Sequence, residues 1–232
     1  SNTGIDSGLD LDGNGRQGDP ADAWGFGLYP GQYAMAVFSR FPIDESAVRT
    51  FQNYLWKDLP GALRPQDPTT GKSFYDDAVW SQLRLSSKNH ADVPIRIGET
   101  TLHVLASHPT PPVFDGREDR NGCRNHDEVR FWSDYIGESS QHLIDDRGRA
   151  GGLAVGAPFV IMGDLNADPA DGDARRDAIQ NLLADPRVQD PMPRSDGASE
   201  AAANASNRIH GDPALHTASF GAGRSMRLDY VL

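Results

Sequence analysis

The run Pro158-Phe159-Val160-Ile161-Met162-Gly163-Asp164-Leu165-Asn166-Ala167-Asp168-Pro169 decides how this chain reads. Its apolar, β-branched first half has the character of a buried strand, and Gly163 ends it abruptly before a polar, acidic stretch. A carboxylate and an amide therefore stand at a strand's C-terminal end. Asp164 and Asn166 are two apart, so extended backbone past Gly163 sends both side chains to one side. An anionic oxygen beside an amide suits a metal-bound phosphoryl group or an activated water, because a hard cation takes oxygen ligands and a phosphate oxygen takes a donor. Read locally, Asp-Leu-Asn-Ala-Asp-Pro is equally well a turn.

Other strands flank this one. Tyr33 to Ser39, small and apolar before Arg40-Phe41-Pro42, reads as a strand. Val93, Ile95 and Ile97 alternate with polar residues, Gly98-Glu99 supplies a turn, and Leu102, Val104 and Leu105 follow. That is a β-hairpin whose second strand delivers His108 before Pro109 stops the pairing. The chain closes on Met226 to Val231, which places Asp229 within an apolar, buried strand where a carboxylate needs a partner or a task.

Helical spacing of Val129, Trp132, Ile136 and Leu143 predicts a helix over Asn125 to Asp145, and a second is predicted from Ala174 to Ala184. Residues 49 to 73 and 191 to 219 read as long loops, and Val79 to Leu85 fits helix or strand. Strands at 33–39, 93–97, 101–107, 158–163 and 226–231 with intervening helices predict a mixed α/β layered fold. Ser39, His108, Asp164 and Asn166 fall at strand ends, where sites form on sheet scaffolds.

The 232 residues suffice for one substantial core and one domain. No window approaches the roughly 18 consecutive apolar residues of a membrane span, so no integral membrane segment is expected. A net charge of −11 excludes a broad basic footprint for nucleic acid, and action on a polyanion would call for divalent cations. Arg40, Arg117, Arg120, Arg124 and Arg130 could still form a local anion site. The single Cys123 excludes an internal disulfide framework. Near the start, Asp10, Asp12 and Asn14 alternate ahead of Gly15, like the first half of an EF-hand-type Ca²⁺ loop. The twelfth position, where a bidentate Glu belongs, is Ala21, with Asp22 one residue late.

Taken together, Met35 to Pro42, the His108 strand, Gly163 to Asp168 and Arg227 to Val231 resemble the endonuclease/exonuclease/phosphatase superfamily in order and spacing. Ser107 to Gly116, Arg120 to Gly122 and Asn125 to Glu128 are similar to a bacterial, largely exported branch of it. The resemblance implies an α/β (α+β) fold, a four-layer α/β/β/α sandwich of two packed mixed sheets, and a divalent-metal-dependent phosphoesterase using Mg²⁺ or Mn²⁺. His108 would stabilise charge on the scissile phosphate, Asp164 would activate the attacking water, Asn166 would hold a phosphate oxygen, and Asp229 would orient a further histidine. Asp164 and Asn166 would also serve a second metal, and Arg40, Arg120 and Asn125 would bind substrate. The family's metal-site Asn, metal-ligating Glu and terminal Asp-His pair have no counterpart here, so the chain reads as one partial domain, residues 1 to 232, incomplete at both ends. A secreted monomer acting on nucleic acid, phospholipid or a small phosphoester is expected; the alternative is a non-catalytic extracellular Ca²⁺ module on the same fold.

Overall fold

In the computed structural model, residues 1–206, 208–220 and 223–232 are described. The hairpin forms as its alternation predicts. Strand β2 (His90–Ile97) pairs antiparallel with β3 (Thr100–Ser107), and Ile97 faces Thr100 across the two-residue turn. Gly98 takes φ +60° at the first turn position, the left-handed requirement of the tight turns that match strand twist. Strand β4 (Phe159–Asp164) lies parallel to β3, and β7 (Asp229–Val231) lies antiparallel to β4. With β1 (Arg49–Thr50) on the other edge, the five strands run β1-β2-β3-β4-β7 in one mixed sheet. A small hairpin of β5 (Ala218–Phe220) and β6 (Arg224–Met226) stands apart from it.

The parallel β3–β4 pair needs a crossover, and helix α2 (Arg120–Ile136) supplies it. Val129, Phe131, Trp132 and Tyr135 pack with Leu105 and Ile161 of the sheet, all of them completely buried. The helix starts five residues earlier and ends nine earlier than its spacing predicts. Gly137 breaks it in extended conformation, and Leu143 reaches the same core from a turn rather than from a helix. Shorter helices α1 (Asp77–Trp80), α3 (Arg176–Ala184) and α4 (Asp196–Ala203) complete the order.

Three expectations are corrected. Residues 33–39 form no strand: Tyr33 sits at φ +63°, Phe38 is 94% exposed, and strand contact begins only at Pro42 to Asp44, which bond to β2. An apolar run without a hydrogen-bonding neighbour cannot be a strand, and Arg49–Thr50 holds the register beside β2 instead. The 191–219 stretch contains α4, whose Ser195 Oγ caps it by accepting from Ala198 N. The last strand is divided, because Arg227 N and Leu228 N donate to Asp168 Oδ2 and Thr217 Oγ1 rather than to a neighbour strand; Asp229 beyond the break is exposed, not buried.

The sheet has two apolar faces. One meets α2, and the other carries Val93, Ile95, Val104 and Ala106, with Val160 beside them, under partly buried Val37, Ile43 and Val48. Alternation along β4 and β7 puts Met162, Asp164, Asp229 and Val231 on that second face.

Candidate active site

Three strand termini converge where β3 and β4 end and β7 begins. Asp164 and Asp229 are direct cross-strand partners, and His108, one residue past β3, lies beside them. Its Nε2 stands 3.6 Å from Asp164 Oδ2, with both side chains half-buried. Asn166 N donates to Asp164 Oδ1 at 2.9 Å, so the turn after β4 closes on its own carboxylate. Asn166 adopts φ +50°, a left-handed conformation that Asn tolerates better than most residues. Its Nδ2 donates to Pro109 O at 3.0 Å, which ties the two loops together.

Burial sets the electrostatics. It pushes the His108 imidazole down to about 4, with the Lys88 ammonium adding to the effect, so the ring is neutral near pH 7. Burial also raises the Asp164 carboxyl above its usual value; the Asn166 N–H pulls it back, and the Asp229 charge raises it again. A carboxylate with raised basicity beside a neutral imidazole can take a proton while the ring donates an N–H to an anion.

Two residues that sequence reasoning passed over, Lys88 and Glu128, support this corner together with Asn125, which it expected to bind substrate. Lys88 Nζ, buried and lowered to about 8 chiefly by that burial, donates to the same Pro109 O at 3.2 Å. Glu128 Oε2 accepts Thr110 N at 2.6 Å, and its Oε1 accepts Ser87 N and Ser87 Oγ at 2.6 and 2.9 Å. Asn125 is fully buried and donates to Thr110 O and Leu165 O, bridging the loops that carry His108 and Asn166. The signal was present in the sequence: Asn125 and Glu128 are polar residues on the helical stripe of Val129 and Trp132.

The candidate substrate arginines have other partners. Arg40 is exposed with its guanidinium 5.5 Å from the Phe41 ring. Arg120 pairs with Glu118 and lies over Phe74. Arg124 is spent on the Trp24, Arg84 and Leu85 carbonyls, and Arg130 on Pro60 O. Among the described residues, none of the four bonds to His108, Asp164, Asn166 or Asp229. Beside Asn166 a largely apolar cavity of about 310 Å³ opens between Pro111–Phe114 and Met226 and Leu228.

At the N-terminal loop, Asp10 Oδ1 and Oδ2 accept Gly13 N and Gly15 N, while Asn14 Nδ2 donates to Asp12 and Asp19. Asp22, off by one in the loop count, is fully buried, and its carboxylate comes within 4.8 Å of those of Asp10 and Asp12.

Among solved structures, the chain is similar to a β-hairpin deletion mutant of beta toxin from Staphylococcus aureus, at 16% identity and TM-score 0.35 over 61% of this chain and 41% of that one. It is also similar to sphingomyelinase C from Streptomyces griseocarneus, at 16% identity and TM-score 0.34 over 63% and 42%. The chain thus spans about two-fifths of the length of either. A comparison with curated proteins gives no match. The model of the Endonuclease/Exonuclease/phosphatase family matches residues 4–232, nearly the whole chain. Members of that family are metal-dependent phosphoester hydrolases. The chain belongs to the endonuclease/exonuclease/phosphatase family.

Proposed function

We propose that this domain is a catalytically incomplete piece of a divalent-metal-dependent phosphoesterase that hydrolyses a phosphate ester by in-line attack of water. The observation that carries the reading is the convergence of His108 on Asp164, 3.6 Å apart, at a shared strand terminus with Asp229 directly opposite. Asp164 takes the proton of the attacking water, its basicity raised by burial and by Asp229. His108, neutral, donates an N–H to a phosphoryl oxygen as charge develops there. Asn166 is fixed beside Asp164 by the bond from its Nδ2 to Pro109 O and by its N–H on the Asp164 carboxylate. The donors Asp164, Asn166 and Asp229 are all hard oxygens and suit Mg²⁺ or Mn²⁺, which would supply neutralisation of the phosphoryl oxygens.

The second sheet face supports the finer fold reading, a four-layer α/β/β/α sandwich. Met162 and Val231 are 38% and 54% exposed there, beside the buried Val104 and Ala106, which is the pattern of a face that takes another apolar layer. His108, Asp164 and Asp229 continue that face beyond the apolar rows.

The test is hydrolysis of a chromogenic phosphodiester by the full-length protein with Mg²⁺ or Mn²⁺. His108→Ala and Asp164→Ala should each lower kcat by about 100-fold or more; activity untouched by both would sink the assignment. A second reading, Ca²⁺ binding by the N-terminal loop, is favoured by the approach of Asp22 to Asp10 and Asp12. Calorimetric titration with Ca²⁺ decides it, since absence of binding heat removes its support.

A further inference from the structure

Asp168 and Asp171, in the loop after β4, and His216, on the segment entering β5, are respectively 3%, 1% and 7% exposed. One ligand-capable atom from each lies within 4.8 Å of the other two. Both carboxylates are held as acceptors by backbone N–H groups. Asp168 accepts from Ala170 N, Asp171 N and Arg227 N, and Asp171 accepts from His210 N and Gly211 N. Among the described residues neither pairs with a Lys or Arg, and the guanidinium of nearby Arg227 forks onto Asp190 instead. Neither buried carboxylate is therefore in direct contact with an ammonium or guanidinium, the Arg227 charge acting on Asp168 only from beyond bonding distance, and buried charge is costly unless compensated.

The imidazole points to what compensates it. His216 Nδ1 is 2.8 Å from Ser225 Oγ, whereas Nε2 is buried with no hydrogen-bond partner and stands 3.8 Å from Asp171 Oδ2. A protonated ring would leave a buried N–H aimed at an oxygen beyond hydrogen-bond reach. With the proton on Nδ1, Nε2 instead turns a lone pair toward the carboxylates, which is the arrangement of a metal-ligating His steadied by a hydrogen bond at its other nitrogen. Two ligand atoms each about 2 Å from one ion can stand up to about 4 Å apart, so 3.8 Å already fits, and closing the remaining gaps takes shifts of under about 1 Å.

We infer that Asp168, Asp171 and His216 bind a first-row divalent cation, Zn²⁺ or Mn²⁺, that clips the loop after β4 to the segment entering the β5–β6 hairpin. One imidazole with two carboxylates selects such an ion over Mg²⁺ or Ca²⁺, which favour oxygen alone. Three protein ligands leave a position for water or a backbone carbonyl. The clip would brace the turn that follows Asn166 and, through Arg227 N, the entry to β7. It does not depend on the phosphoesterase reading, because its readout is retained metal rather than turnover.

The experiment uses chelator-stripped full-length protein equilibrated with Zn²⁺ or Mn²⁺, dialysed, and analysed for bound metal and melting temperature. An Asp164→Asn background lowers the contribution of the strand-end site. In that background about one retained ion per chain is expected, with a raised melting temperature, and the further change His216→Leu should weaken retention at least tenfold. Absence of retained Zn²⁺ and Mn²⁺, or equal retention after His216→Leu, overturns the proposal. If His216→Leu fails to fold, the ¹⁵N shift of the His216 imidazole on Zn²⁺ addition to the Asp164→Asn protein decides. A metal-induced shift at Nε2 supports the clip, and an unmoved signal overturns it.

Discussion

A methyl group placed on Gly163 would sit 2.0 Å from the Ser107 carbonyl oxygen, and the residue's φ of +151° is one that side chains rarely adopt. That closeness lets the ends of β3 and β4 bring His108 against Asp164. Gly163→Ala should therefore destabilise the protein by about 2 kcal/mol or more and reduce phosphoester hydrolysis further than the loss of folded protein explains; urea unfolding beside specific activity checks both. The glycine reads in sequence as a strand stop, whereas β4 runs through it to Asp164, and its steric task was not legible because the neighbour it touches is 56 residues away. His90 gives a pH prediction. Glu128 O can only accept, so Nε2 of His90 carries the proton and Nδ1 accepts from Ser86 Oγ. Burial lowers this imidazole's pKa. The folded state then binds fewer protons than the unfolded one, so the stability His90 contributes is present above about pH 6.5 and is lost as pH falls below it. His108 is shifted the same way and adds to the trend. Urea titrations at neutral and acidic pH should show a shallower acid loss in His90→Gln than in the parent, together with a lower stability at pH 7; an identical slope would remove His90 from the account.

Elements with a strong period of their own were legible. The β2–β3 hairpin and β4 follow from alternation and from a short apolar run, since the side-chain pattern and the turn residues both act locally. The 33–39 run satisfied the same pattern and failed, because strandness needs a neighbour and no sequence window contains one. Helix α4 was hidden by its Pro, Ser and Gly surroundings, although Glu200-Ala201-Ala202-Ala203 has good intrinsic helix propensity. Helix α2 was half legible: its apolar stripe was evident, but the polar residues within the stripe are what fasten the site loops. Glu128 is the clearest case, as its carboxylate accepts three hydrogen bonds while 1% exposed. Glu128→Gln keeps the shape and replaces one acceptor oxygen by a donor facing an N–H. It should cost about 1–3 kcal/mol in urea unfolding. It should also lower kcat, by loosening the loop that carries His108, while α2 itself stays helical by circular dichroism.

Over the whole molecule the net charge of −11 acts as a field on any charged substrate. Three of the five arginines that could have offset it locally are turned inward, Arg120 to Glu118, Arg124 and Arg130 to backbone carbonyls. A polyanion approaching the strand-end site therefore meets net repulsion, the reverse of the basic footprint on which non-specific nucleic-acid binding rests. The screening length shortens from about 30 Å at 0.01 M salt to about 10 Å at 0.1 M. At fixed divalent cation, kcat/KM for an oligonucleotide should rise by about two- to fivefold across that range, because screening removes the repulsion during encounter. A small monoanionic phosphodiester carries too little charge to feel the field and should change by less than about twofold. Measured in parallel, the two substrates separate the field from any direct effect of salt on the site. A steep fall for the oligonucleotide would mean that exposed cations outweigh the overall charge, Arg40 and Arg117 being the arginines of that group not turned inward.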